Sequence, residues 1–201
     1  MYDAGTPNLP KAAKQKTWYD PTYCGGMSPE EIDVFLGSPD SDWLCKLGVL
    51  KEDGWPFVTP IWYAWRDGSF WVVGRKRSAW VQDLLRDPRC FVCIDEPETP
   101  PEGGLRKVLA RCKATVVEGP VVAEGSQWVG VADEMARRYM GPSGPDGLKL
   151  SYGWERYLVR LDPVEGGMTT WQGVGWAKRY LDEKQRAELE ALMADLASQQ
   201  S

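Results

Sequence analysis

Histidine is absent from the 201 residues of this sequence. Its absence excludes Ser/His and Cys/His catalytic pairs, histidine-ligated zinc and a proximal haem histidine. The sequence also lacks an apolar run of about 20 residues that could span a bilayer, and no charged-then-apolar leader follows Met1. We therefore expect a cytoplasmic protein with no membrane partner.

The sequence has no excess of positive charge. Its 24 Lys and Arg are fewer than its 29 Asp and Glu, which gives a net charge of -5. A protein without a basic footprint is a poor nucleic-acid binder, so no nucleic-acid partner is expected. The Walker phosphate loop and the alternating βαβ order of a Rossmann sheet are absent as well. These absences argue against a P-loop protein and against a Rossmann sheet.

The five cysteines are odd in number and scattered, which argues against a disulfide framework. Cys90 and Cys93 match C-x-x-C, but they lie in a strand-like run where side chains three apart point to opposite faces. We interpret the cysteines as buried apolar residues rather than redox or metal groups, and no metal site is predicted. Most of the 11 tryptophans are expected to serve packing.

The composition and spacing of residues along the sequence predict three segments. These are an N-terminal arm (1–27), one domain (28–180) and a C-terminal helix packed on that domain (181–201). Ser28 and Glu31 have the spacing of a capping box, and Pro29 suits the first helical position. From Trp43 the sequence reads as short strands joined by turns such as Glu52–Asp53–Gly54. Further predicted elements are strands at 56–65, 70–73, 91–94, 105–118, 157–161 and 167–171, helices at 78–85, 128–139 and 178–197, and loops at 96–104 and 141–147.

Antiparallel hairpins with a few helices predict a mainly β fold, a barrel decorated by helices. The strands are apolar on both sides, so one face should line a barrel interior and the other should meet a helix, a ligand or another subunit. Pro60 has no N–H to donate, and this strand should therefore lie at an edge or carry a bulge.

The segment Gly74–Ser78 places three cations between a strand and a helix. Glycine permits close backbone approach, arginine can contact a phosphate with two donors, and a helix start favours an anion. Ser78 is placed to cap that helix. From the residues alone, an anion site and a solvated basic turn are both open.

The order of these elements and four motifs resemble the pyridoxamine 5'-phosphate oxidase-like, FMN-binding split-barrel superfamily. The motifs are Val58–Tyr63 (V-T-P-I-W-Y), Leu84–Arg89 (L-L-R-D-P-R), the strand Arg106–Ala114 and Trp171–Gly173. The resemblance covers roughly residues 28–180 and implies a split β-barrel with six to eight antiparallel strands and peripheral helices.

The resemblance further implies a homodimer with FMN at the subunit interface, and an oxidoreductase that transfers a hydride or electrons to or from a small organic substrate. It also implies a set of cofactor-binding residues, although it assigns no catalytic residue. Those expected to border the isoalloxazine ring are Val58, Thr59, Pro60, Ile61 and Trp62. Those expected to hold the ribityl chain and phosphate are Val73, Gly74, Arg75, Arg77 and Ser78, with Lys76 a weaker candidate. Trp171 and Gln172 are expected to close over the cofactor from the partner chain.

The sequence departs from the family where a lysine often clamps the phosphate, since Ala79 and Trp80 stand there. Either the arginines replace the clamp, or the site takes a deazaflavin or no cofactor; a non-catalytic flavin-binding or interaction protein is the remaining alternative. Trp80 can stack on the cofactor or pack on the barrel. No Arg/His-rich motif follows Trp171, which argues against pyridoxamine phosphate as substrate. Candidates for orienting a substrate are Tyr63, Arg111 and Tyr152.

Overall fold

The computed structural model describes residues 26–96, 106–172, 182–185, 187, 188 and 191. The predicted arm, the 96–104 loop and the C-terminal helix lie mostly outside these residues and stay predictions. Met27, which the sequence assigns to the arm, is buried, and its amide donates to Thr170 Oγ1 at 2.9 Å. Among the described helices, none is long and apolar enough to cross a membrane.

Seven strands and four helices make up the described chain. The strands are β1 (Cys45–Leu50), β2 (Pro56–Ile61), β3 (Ala64–Arg66), β4 (Ser69–Arg75), β5 (Arg89–Asp95), β6 (Lys107–Val121) and β7 (Arg156–Trp171). The helices are α1 (Pro29–Gly37), α2 (Ala79–Arg86), α3 (Trp128–Met140) and α4 (Gly144–Lys149).

All seven strands form one antiparallel sheet in the order β2-β1-β5-β6-β7-β4-β3. The mainly β prediction and the expected strand number are therefore confirmed. β2 and β3 occupy the two ends of this order although only Trp62 and Tyr63 separate them in sequence. A two-residue link can join the two ends only if the sheet curls on itself, which is the barrel geometry. Pro60 lies on the end strand β2, as its missing donor requires.

Three element boundaries differ from the sequence prediction. The strand predicted at 56–65 is divided into β2 and β3, because the chain crosses there from β1 to β4. The two strands predicted at 157–161 and 167–171 are one long strand, β7, whose pairing with β6 contains register shifts. The Gly/Pro loop predicted at 141–147 contains α4, whose buried Gly144 lies tightly against the backbone of Ala136 in α3. Long-range packing decides each difference.

The start of α1 confirms the capping box. Ser28 Oγ accepts from the Glu31 amide at 3.2 Å, and Glu31 Oε2 accepts from the Ser28 amide at 2.7 Å. Pro29 is the first helical residue, where its missing N–H has no cost. This helix buries Ile32, Phe35 and Leu36 in the main core.

Two apolar cores lie on opposite faces of the β4–β7 pair. Val72 and Val159, which face each other across the two strands, belong to the main core inside the barrel. Val73 and Leu158 form the next pair along and belong to a second core covered by α3. The alternation of side chains along a strand therefore separates a barrel face from an α3 face.

Gly74 fixes how α2 packs at the end of β4. A Cβ at this position would collide with Val81 Cγ2 and lie 2.7 Å from two ring atoms of Trp80. Only a residue without a side chain lets the first turn of α2 approach the strand so closely. Gly74 therefore places the start of α2 beside the basic segment.

We predict that Gly74→Ala lowers the free energy of unfolding by about 1–3 kcal/mol, because overpacking forces α2 away from β4. Gly48→Ala in β1 is the matched control, since a Cβ there meets its nearest neighbours at an ordinary 3.6 Å. The control should be as stable as the wild type, or more stable by up to about 1 kcal/mol. Urea unfolding measures both, and equal stability of the two variants would contradict this packing.

Arg138 connects α3 to the segment after α1. Its Nε donates to Ser41 O at 2.6 Å, Nη1 donates to Leu36 O at 3.1 Å, and Nη2 donates to Tyr63 Oη at 2.9 Å. Its guanidinium also lies over the Tyr63 ring, 4.5 Å from the centroid. Burial raises the pKa of Tyr63 to about 12 even though Arg138 acts in the opposite direction. This cluster is structural, because it satisfies carbonyl groups that neither helix can satisfy itself.

We predict that Arg138→Met destabilises the fold by roughly 1.5–3 kcal/mol, because it removes several charge-assisted hydrogen bonds and leaves acceptors unpaired. Arg137→Met, an exposed neighbour on the same helix, is the control and should change stability by less than about 0.5 kcal/mol. Chemical unfolding of both variants tests the prediction. A variant Arg138→Met as stable as Arg137→Met would contradict the role given to the cluster.

Candidate functional site

A cleft of about 330 Å³ opens where β2 and β4 end and α2 begins; we call it the first cleft. Predicted cofactor-binding residues form most of its wall, although they come from separate parts of the chain. Those that line it are Pro60, Ile61, Trp62, Val73, Gly74, Arg75, Ser78 and Trp80. The topology thus brings together the strand and the basic segment that the sequence singled out.

The rest of the wall comes from residues that the sequence analysis missed: Ala132 and Met135 of α3, Leu148 of α4 and Arg156 of β7. The first three supply apolar surface. Arg156 adds a cation from a position 81 residues after Arg75 in sequence, so no local motif connects the two arginines. Its place directly before the strand predicted at 157–161 was the only available signal.

The register of β4 and β7 places Arg75 directly opposite Arg156. Directly paired residues in antiparallel strands point to the same face of the sheet. Both guanidinium groups therefore lie on the α3 face, and both line the first cleft. Within the described residues, neither forms an ion pair with a carboxylate.

Arg156 is a buried cation with unused hydrogen-bonding capacity. It is 8% exposed, its Nη2 donates to Ser151 Oγ at 2.6 Å, and its guanidinium lies 5.1 Å from the Trp128 ring centroid. Its buried Nε has no partner. Burial, and then the charge of Arg75, lower the pKa of Arg156. An anion in the cleft would offset both effects by pairing with the two guanidinium groups.

Ser78 stands at the start of α2 with its hydroxyl unused for capping, which corrects the expectation that its side chain caps the helix. Its backbone carbonyl instead accepts from the Val81 and Gln82 amides at 3.0 and 3.2 Å. The first amides of a helix have no partner within it and favour a negative group nearby. A hydroxyl and a helix start thus accompany the two arginines at the same end of the first cleft.

A second cleft, of about 450 Å³, adjoins the first and shares Arg75 with it. Its lining is Arg75, Lys76, Arg77, Gly153, Trp154 and Glu155. Lys76 Nζ lies 2.8 Å from Glu155 Oε2, and this pair raises the pKa of Lys76. Arg77, which the sequence predicts as a phosphate ligand, lines the second cleft and not the first.

Aromatic rings flank the first cleft at two points. Trp62 is stacked on Tyr139 with centroids 5.2 Å apart and planes inclined by 10°. Trp80 lines the cleft and also packs on Gly74 and the main core. The sequence left two roles open for Trp80, stacking on the cofactor or packing on the barrel. Its contacts in this structure are those of a residue packed on the barrel.

The remaining predicted residues lie elsewhere. Val58 is 63% exposed and lines an apolar groove on β1, β2 and β5, while Thr59 is half-buried on the opposite side of β2. Trp171 pairs with Lys107 through the backbone, its side chain being outside the described residues, and Gln172 is half-buried. Gln172 does not line the two clefts, and the closing role of Trp171 and Gln172 over a partner's site stays a prediction.

The three candidates for orienting a substrate do not line the first cleft. Tyr63 is fully buried against Arg138, which corrects its assignment, since a side chain without exposed surface cannot touch a substrate. Arg111 is exposed and donates to Gly166 O at 3.3 Å. Tyr152 donates to Asp133 Oδ1 at 3.1 Å.

The chain matches no protein-family model and no curated protein. Among solved structures it is similar to a conserved hypothetical protein from Mycobacterium tuberculosis, with 28% identity, a TM-score of 0.58, and coverage of 79% of this chain and 91% of that one. An FAD-binding protein from Mesorhizobium loti gives 15% identity, a TM-score of 0.51, and coverage of 73% and 96%.

The FAD- and haem-binding protein from Mycobacterium smegmatis gives 15% identity, a TM-score of 0.51, and coverage of 74% of this chain and 73% of that one. At these identities the likeness to the two FAD-binding proteins concerns the fold. The curled seven-stranded sheet agrees with it. This chain therefore has the split-barrel fold that these structures share, which confirms the fold that its sequence motifs predicted.

Proposed function

We propose that this protein is a flavin-dependent oxidoreductase that binds FMN in the first cleft and acts on a small organic substrate. The observation that carries the proposal is the pair Arg75 and Arg156, which face one cleft without a carboxylate partner among the described residues. A buried guanidinium with an unpartnered Nε fits a permanently charged ligand group.

The phosphate would be held by Arg75 and Arg156, with Ser78 and the start of α2 beside them. Arginine donors in a planar fork match phosphate oxygens, and the helix start adds a favourable field. Gly74 serves the site indirectly, because the space that its side chain would take is filled by Val81 and Trp80, and the start of α2 is thereby held against β4. These groups replace the lysine clamp that Ala79 and Trp80 lack.

The flavin ring would lie toward the end of β2, beside Pro60, Ile61 and Trp62. Trp62 is held by its stack on Tyr139, and so offers a fixed wall. Met135 and Leu148 supply apolar surface opposite. A bound flavin supplies hydride or electron transfer, and the protein supplies position and exclusion of water. Such chemistry needs no histidine, which the sequence lacks.

The split-barrel fold supports a flavin ligand, since two similar solved structures are described as FAD-binding. One of them is also described as haem-binding. Haem is the weaker choice for this chain, because histidine, a common axial ligand, is absent from the sequence.

We predict that the full chain binds FMN, and that Arg156→Met weakens this binding at least about tenfold because a charge-assisted phosphate contact is lost. Riboflavin, which has no phosphate, should bind the variant and the wild type with the same affinity. Quenching of flavin fluorescence measures all four affinities. Thermal unfolding of the variant shows whether the fold survives the loss of the contacts with Ser151 and Trp128.

Arg111→Met, an exposed arginine that lines neither cleft, is the matched control and should leave FMN affinity unchanged. Failure of the wild type to bind FMN would overturn the proposal. An equal loss of riboflavin and FMN affinity in Arg156→Met would make Arg156 a structural residue and remove the phosphate contact from the account.

A deazaflavin in the same cleft is the second candidate, because the arginine pair recognises a phosphate and not the ring atom that separates the two cofactors. Absorbance and mass spectrometry of the small molecule released from purified protein distinguish them. If a bound flavin is found that no reductant or acceptor can cycle, a non-catalytic flavin-binding protein replaces the enzyme.

We also propose that the protein is a homodimer, with the apolar groove on β1, β2 and β5 in its interface. The groove contains exposed Val58 and Phe91, and a large exposed apolar surface is typical of an interaction site. Val58→Glu should therefore raise the dimer dissociation constant at least about tenfold. Val34→Glu on α1, which is 68% exposed in the wild type, is the control and should leave dimerisation unchanged.

Light scattering across a dilution series measures this association. A monomeric wild type at every concentration would contradict the proposed dimer. A dimer that Val58→Glu and Val34→Glu leave equally intact would place the interface elsewhere.

A further inference from the structure

The second cleft contains a cation, Arg77, that the proposed FMN site does not use. Of its three cations, Lys76 is neutralised by Glu155, whereas Arg75 and Arg77 have no carboxylate partner among the described residues. Arg75 lines both clefts, so the two clefts share one cation. A ligand whose negative charge continues past its first phosphate fits this arrangement.

Trp154 gives the second cleft an aromatic surface. The Arg75 guanidinium lies 4.6 Å from its ring centroid, and the residue is still 47% exposed. A flat ring held by a cation and open to solvent is suited to stacking with a planar base. The cleft therefore offers cations for a phosphate and a platform for an aromatic group.

We propose that the second cleft takes the ADP half of a dinucleotide flavin, so that the preferred cofactor is FAD. The second phosphate lies beside Arg75 and Arg77, and the adenine stacks on Trp154. This inference rests on the proposed function, because the flavin half of the same molecule occupies the first cleft.

The aromatic surface of Trp154 favours a nucleotide extension over an acidic tail such as a deazaflavin can carry. Carboxylates would use Arg75 and Arg77 but would leave the exposed part of the Trp154 ring uncovered, whereas a planar base can cover it. The backbone also fixes the distance between the clefts, because Lys76 N donates to Glu155 O at 3.0 Å and holds the 153–156 segment against the end of β4. Both clefts are thus built on one rigid pair of strand ends.

The test compares the affinities of the full chain for FAD and FMN by fluorescence quenching. We expect FAD to bind at least about tenfold more tightly than FMN. Arg77→Gln and Trp154→Leu should each lower this ratio of affinities severalfold. Arg137→Gln and Trp55→Leu replace exposed residues that line neither cleft and should preserve the ratio.

The outcomes distinguish failure of the FAD inference from failure of the proposed function. Binding of FMN with no preference for FAD overturns the inference and leaves the proposed function intact. A chain that binds neither flavin overturns the proposed function. A preference for FAD that survives both variants contradicts the second cleft as its origin, and a preference lost in Arg77→Gln but not in Trp154→Leu contradicts the stacked adenine.

Discussion

The pairing of Arg75 with Arg156 across β4 and β7 is the constraint on which the proposed site depends. Backbone register alone brings two guanidinium groups to the same face at the same height. One of them is buried with an unpartnered Nε, an arrangement that costs stability unless an anion completes it. The fold keeps this unfavourable arrangement in the wall of a cleft, which is typical of a ligand site.

The barrel makes that pairing possible. Because β2 and β3 are adjacent in sequence but stand at opposite ends of the sheet order, the curled sheet brings the end of β2 near β4. Gly74 then lets α2 begin directly against β4, and α3 covers the second core on the same face. The Arg138 cluster fixes α3 to the segment after α1. Each contact places one wall of the first cleft.

Sequence reasoning reached the fold class, the capping box of α1, the edge position of Pro60 and most of the residues of the first cleft. These depend on local chemistry or on motifs that are continuous in sequence. Arg156 was missed because its role comes from strand register with a residue 81 positions away. The burial of Tyr63 was missed for a related reason, since its partner Arg138 lies on a distant helix. Arg77 was predicted as a phosphate ligand from its place in the sequence, and it lines the second cleft and not the first.

A crystal structure of the full chain grown with FMN tests most directly whether Arg75 and Arg156 hold the phosphate. We expect electron density for the phosphate between the guanidinium groups of Arg75 and Arg156, with a guanidinium N–H of Arg156 donating to a phosphate oxygen. Density for the phosphate at another position, with Arg156 still bonded only to Ser151, would contradict it.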